Sequence, residues 1–187
     1  NNNTLNISGP AHITGSYSVW LQTPNTNANK ASLNISGGTL EATDGAALYI
    51  GGTKADNSNI SIDVTGGEIG GTGIIIQGPK SGTYGHISVS GGEIEKVLCG
   101  ANVEKFISGG TFASNPDAAY LAEGYSAEGT GPYIVEQTSV AKIGTTYYAI
   151  LAEAVAAAQD GETITLLADV NTDSQIEVGK QVTLDLN

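Results

Sequence analysis

The chain has 187 residues, 40% of them hydrophobic, enough for one core or two small ones and too many for a disordered segment. A net charge of −12 and a pI near 4.2 exclude a phosphate-backbone partner, which needs clustered Lys and Arg, and disfavour an anionic membrane surface. No apolar run approaches the roughly 20 residues that cross a bilayer, and 26 glycines without a collagen period call for tight turns between short strands.

In chain order the first feature is a repeat. A strand-like segment ending in a glycine pair recurs at Leu33-Asn34-Ile35-Ser36-Gly37-Gly38, Ile62 to Gly67, Ile87 to Gly92 and Phe106 to Gly110. An imperfect copy, Leu5-Asn6-Ile7-Ser8-Gly9-Pro10, precedes them. The first glycines, Gly9, Gly37, Gly66, Gly91 and Gly109, lie 28, 29, 25 and 18 residues apart, each spacing suited to one solenoid coil. Within a copy apolar and polar residues alternate, so Leu33 and Ile35 face one way and Asn34 and Ser36 the other.

Stacking the coils in register about 4.8 Å apart forms one inward ladder from Ile7, Ile35, Val64, Val89 and Ile107. A second comes from Leu40, Ile69, Ile94 and Phe112. A further apolar run per coil, Tyr17 to Leu21, Ala46 to Ile50, Ile74 to Ile76 and Val97 to Leu98, reads as another face, so three short strands per coil are expected. The glycine pair turns a corner where a Cβ collides with the neighbouring coil or where φ is positive. Lys105 takes the place that Leu5, Leu33, Ile62 and Ile87 hold in the other copies, and an unpaired lysine does not belong inside, so the stack ends or bends there.

Beyond the last glycine pair, Asn115-Pro116-Asp117 signals a turn, and Ala118 to Glu123 suffices for one helical turn. Tyr125 to Glu128 and Tyr133 to Glu136 flank Gly129-Thr130-Gly131-Pro132 as a hairpin. Tyr147 to Gln159 reads as the one convincing helix, with Ile150, Leu151, Ala154, Val155 and Ala158 on one stripe, Thr145 or Thr146 as N-cap and Gly161 past its end. Strands follow at Thr163 to Leu167 and Val182 to Leu186. The expected organisation is coils at 1–112, a connecting turn, short helix and hairpin at 113–143, and a capping helix with the first strands of a following module at 144–187.

These residues resemble a known family. The run Ile107 to Tyr125, ISGGTFASNPDAAYLAEGY, looks like the end-of-module signature of pectin-lyase-like right-handed parallel β-helix repeat proteins of the surface of anaerobic bacteria. Lys142 through Tyr147-Tyr148 and the alanine-rich helix to Leu167 looks like the start of such a module, with Val182 to Asn187 beginning its ladder. The resemblance covers nearly the whole chain and implies an all-β fold, a right-handed parallel β-helix with one short capping α-helix near the C-terminal part. It also implies an extracellular, cell-surface location and a stalk or adhesin role, and it is not specific to any activity. The chain begins at Asn1 without an initiator Met, n-region or h-region, and reads as cut from a longer precursor.

Chemistry-bearing constellations are sparse. Lyases of this fold commonly use a basic residue, often Arg, and all seven basic residues here are Lys; hydrolases need closely placed carboxylates, and no Asp-Asp or Asp-x-Asp pair occurs. No catalytic, cofactor or metal residues are assigned, and no cofactor is expected. His12 and His86 have no ligand-type residues at ligand spacing, and Cys99 reads as a buried structural thiol. Glu68 and Glu93 follow equivalent glycine pairs and read as a solvated stacked pair. The leading expectation is a non-catalytic, structural or self-associating repeat module joined to further copies end to end, as tandem copies or a filament, through Thr4, Leu5 and Ile7 at one end and Val182, Leu184 and Leu186 at the other. The alternative is a glycan-binding adhesin module that stacks sugar on Tyr17, Trp20, Tyr49 and Tyr84, taking host or cell-wall glycan as partner. A degenerate polysaccharide lyase or hydrolase ranks third.

Overall fold

A computed structural model describes residues 2–22, 30–51, 56–78, 83–172 and 175–187; Asn1, where the expected junction would begin, lies outside them. The strands are β1 (Asn3–Ile7), β2 (His12–Gly15), β3 (Val19–Gln22), β4 (Ala31–Ala42), β5 (Leu48–Gly51), β6 (Asp56–Ile69), β7 (Ile74–Gln77), β8 (Thr83–Ile94), β9 (Val97–Cys99) and β10 (Ile107–Phe112). After a single 3-10 turn (Ala118–Tyr120) come β11 (Tyr125–Glu128), β12 (Tyr133–Gln137), β13 (Ala141–Ile143), β14 (Thr146–Tyr148), helix α1 (Leu151–Ala157), β15 (Thr163–Leu166) and β16 (Thr183–Asp185). The class is all-β with one α-helix.

The chain divides into two compact units, Asn1–Ala122 with Ala127–Glu136, and Glu123–Ser126 with Gln137–Asn187. In the first, an eight-stranded sheet runs β1-β4-β6-β8-β10-β12-β11 with β2 beside β4, and a four-stranded sheet runs β3-β5-β7-β9. All pairs from β1 through β10 are parallel, whereas β12 joins β10 antiparallel, so the large sheet is mixed rather than purely parallel.

The register is that of the repeat. Ile7, Ile35, Val64, Val89 and Ile107 are successive partners, as are Ile13, Leu40, Ile69, Ile94 and Phe112. In the smaller sheet Val19, Leu48, Ile74 and Val97 form a third line. Of these, all but Ile13 are buried, Ile35, Leu40, Ile69 and Phe112 fully so, as are Leu33 and Ile62 two residues before Ile35 and Val64, each contributing about 1.5–3 kcal/mol of transfer free energy.

Three separate strands per coil are not what forms. The first two runs of a copy join into one long strand, β4, β6 or β8, that passes through the glycine pair with a shift in register. Both expected reasons for glycine apply: close approach at the first member of the pair, and positive φ together with close approach at the second. A Cβ on Gly66, Gly91 or Gly109 would lie 2.9, 2.5 or 2.4 Å from a carbonyl oxygen of the preceding strand, and Gly38, Gly67, Gly92 and Gly110 have φ of 84–108°. The first copy carries Pro10 in the second place, and there alone the run is split, into β1 and β2, because proline has no N–H for the ladder.

The first unit is finished at its β10 end. Lys105 takes φ 56°, its side chain is exposed, and its N–H donates to Ala119 O, so β10 begins only at Ile107. Asp117 caps the 3-10 turn through Ala119 N–H at 2.9 Å; Leu121 bridges Ile107, and the Tyr120 ring lies 5.4 Å from that of Phe106.

In the second unit the sheet runs β14-β13-β15-β16, with β15 and β16 parallel. Ala141, Ala154, Ala158 and Ile164 form its buried centre. The helix is shorter than its expected span of Tyr147 to Gln159: Tyr147 and Tyr148 pair with Lys142 and Ala141 instead, and the N-cap is Ile150 with no side-chain cap bond. A boundary at 143 separates β13 from β14 and β15, with which it pairs, and Ile176 to Val178 form no strand.

Because the glycine contact is with backbone, Gly91→Ala should destabilise by about 2 kcal/mol or more. Gly100→Ala, whose Cβ would meet only Ile76 O at 3.9 Å, should stay within about 1 kcal/mol. Urea unfolding of the two variants checks this, and equal midpoints would refute the steric account.

Candidate functional site

Three strands have an outer edge that no described strand pairs with and that belongs to the expected junction or lies beside it: β1 at the end of the large sheet, β3 at the end of the small one, and β16 at the end of the second unit's sheet. Leu5 on β1 points to the core side, as its partner Leu33 does, yet Leu5 is 49% exposed and Leu33 0%. The difference is one missing neighbour, since Leu33 lies between Leu5 and Ile62. On β16, Leu184 is 47% exposed against 0% for its partner Ile164, and Leu186, just past the strand, is 70% exposed. Of the other expected junction residues, Thr4 is exposed, Val182 half-buried, and Ile7 already buried under Ile35.

Each edge borders a cavity in its own unit. One of about 420 Å³ lies against β1 and β3, lined by Thr4, Leu5, Trp20, Leu21, Lys30 and Ser32 among others. Another, of about 650 Å³, is lined by Leu166, Val170, Ile176, Leu184 and Leu186 among others. Both place leucine side chains against solvent where a further strand would cover them.

The expected aromatic face is assembled in part. Tyr17, Trp20 and Tyr49 form one cluster with ring centroids 4.9–5.4 Å apart, on the outer side of the small sheet. Trp20, 57% exposed, pairs across strands with Tyr49, and the line continues through Ile75 to Leu98. The rings are tilted 50–75° to one another, so they do not make a flat platform. Tyr84 has no ring contact with this cluster; its hydroxyl donates to Gln77 O at 3.3 Å, while the Tyr49 hydroxyl donates to the Gln77 side-chain oxygen.

Stacking creates polar contacts that ligand spacing along the chain does not disclose. His86 Nε2 is 2.8 Å from Asp63 Oδ1, and His12 Nε2 is 3.6 Å from Glu41 Oε2. Both histidines are well exposed, so such pairs contribute at most about 1 kcal/mol. The signal was available: aligned on the glycine pairs, His86 corresponds to Ser61, its cross-strand partner, two residues from Asp63 on the same face. Glu68 and Glu93 are direct partners flanked by Thr39 and Thr111, and Thr39 Oγ1 donates to Glu68 Oε2 at 3.4 Å. Among the described residues no three His, Cys, Asp or Glu side chains gather as a metal site.

Cys99 is half-buried rather than buried, with its Sγ 3.4 Å from Ala101 O and 3.9 Å from Val103 O. Burial pushes its thiol up from the ordinary value, and burial likewise raises the phenols of Tyr84 and Tyr120. No family model, curated protein or solved structure matches the chain.

A raised thiol pKa leaves less thiolate at neutral pH, so iodoacetamide should label Cys99 several-fold more slowly than free cysteine at pH 8. The rate should climb as pH rises past the ordinary thiol range, where the stability that the protonated thiol contributes is also lost. Mass spectrometry of timed samples reads this, and labelling as fast as free cysteine would contradict it.

Proposed function

We propose that the chain is a non-catalytic, extracellular structural module of a bacterial surface protein, akin to the pectin-lyase-like repeat proteins its sequence resembles, whose copies join end to end as a stalk or filament. In this reading residues 3–112 wind as a parallel β-helix. What supports the winding is that from β3 to β10 successive strands alternate between the two sheets, and each returns beside its predecessor in register. Crossovers between parallel strands are right-handed in nearly all cases, which gives the helix its hand. The observation that carries the function is the pair of leucine-bearing edges, β1 and β16. Each is half-exposed where the next strand inward is fully buried. An acidic, lysine-poor surface keeps such modules apart sideways while their ends remain apolar.

Sedimentation velocity over a wide concentration range should show species that grow with concentration. Leu184→Glu or Leu5→Glu should weaken the association at least about tenfold, because each places a charge in the joint. Both sites are exposed in the single chain, so circular dichroism should be unchanged. A single monomeric species at every concentration would overturn this reading.

A second reading, glycan binding by an adhesin module, is favoured by the exposure of Trp20 beside Tyr17 and Tyr49. A glycan array followed by Trp20→Ala should then show binding that falls about tenfold, the loss of one stacked ring. Binding that survives the substitution removes this face from consideration, and turnover of a uronate polymer would instead favour a residual lyase or hydrolase.

A further inference from the structure

Resting on the end-to-end reading above, we infer that β16 of one copy adds to β1 of a second copy as a parallel strand in one fixed register, with Thr183, Leu184 and Asp185 opposite Thr4, Leu5 and Asn6. The partner is thus another copy of this chain, and the contact is main-chain addition to a sheet.

Hydrogen-bond direction confines the joint to this register and its two-residue slips. Asn3 N–H donates to Lys30 O while Asn3 pairs with Ala31, so residues 3, 5 and 7 turn their backbone groups toward β4. Residues 4 and 6 therefore turn theirs to the open side. Thr183 N–H donates to Glu162 O while Thr183 pairs with Thr163, so Leu184 turns its backbone groups away from β15. In a parallel ladder a residue bonds to the two neighbours of its partner. Leu184 can therefore bond to Thr4 and Asn6 when it stands opposite Leu5, and a slip of one residue leaves these groups unmatched.

The identity of the side chains then selects among these registers. Leu184 faces the side of buried Ile164, and Leu5 the side of buried Leu33, so the joint continues one apolar line through Ile164, Leu184, Leu5, Leu33 and Ile62. A slip of two residues satisfies the backbone but sets Leu184 opposite Asn3 or Ile7, and then Leu186 opposite Leu5 or Gly9. The polar face agrees as well. Asn34 Nδ2 donates to Asn6 Oδ1 at 2.7 Å, which leaves the Asn6 amide hydrogens for an acceptor on the far side, where this register puts the Asp185 carboxylate. The joint is heterologous, so it leaves the same two edges at its ends and propagates.

Cysteines test the register directly. In a Cys99→Ala background, Asn6→Cys and Asp185→Cys stand directly opposite, about 4.8 Å apart at Cα, within disulfide reach. Asn6→Cys and Thr183→Cys lie about 8 Å apart on the diagonal, outside it. Mild oxidation of mixed single variants should give at least about tenfold more covalent dimer for the first pair than the second. Equal yields, or an excess from the second pair, overturn the register. Oligomers by light scattering without the Asn6–Asp185 product overturn it while leaving end-to-end association standing; a chain that stays monomeric overturns both.

Discussion

The structure of the first unit depends on one close approach, that of the backbone at Gly66, Gly91 and Gly109 to the carbonyl of the strand before it. With a Cβ position 2.4–2.9 Å from that oxygen, only glycine keeps the strands at hydrogen-bonding distance while the chain bends. The second glycine of each pair then takes positive φ and sends the chain on in the same sheet. The bend thus occurs without ending the strand, and the apolar positions on both sides of it stay aligned from copy to copy. The two buried lines of the large sheet, from Ile7 to Ile107 and from Leu40 to Phe112, are a consequence of that alignment. Where Pro10 replaces the second glycine, the alignment survives but the strand does not.

This explains how much could be read from the chain. Two-residue alternation and a recurring glycine pair are local signals, and they located both inward lines, the third apolar run and the register between copies. They did not disclose that two runs fuse into one strand, because continuity through Gly37-Gly38 is decided by hydrogen bonds to a neighbour rather than by the residues themselves. The helix was overextended for a similar reason. Tyr147 and Tyr148 continue its apolar stripe, but their backbone pairs with Lys142 and Ala141, and tertiary pairing outweighs a weak helical preference. The His86–Asp63 pair was invisible along the chain and visible only once the copies are aligned. Of the aromatic face, Tyr17, Trp20 and Tyr49 follow from the register, whereas Tyr84 lies in the segment that carries β8 and joins Gln77 instead.

The two ends of the first unit are built differently, and the difference bears on what the chain is for. At β10 the sheet is closed by its own chain: β12 pairs antiparallel, Leu121 bridges Ile107, and Lys105 turns the backbone out of line. At β1 the described chain provides no such block: the strand is in register with β4 and carries Leu5, 49% exposed, at its middle. The second unit repeats this at β16, which adds parallel to β15 and leaves Leu184 and Leu186 exposed. Edges of this kind are normally blunted by charge, proline or a covering loop. Here Pro10 lies past the end of β1 rather than within it, and the only ionisable side chain among the β1 and β16 residues is Asp185, on the polar face. Leu5 and Leu184 are each about half exposed, whereas their partners one strand further in, Leu33 and Ile164, are fully buried, because a strand edge lacks the one neighbour that would cover them.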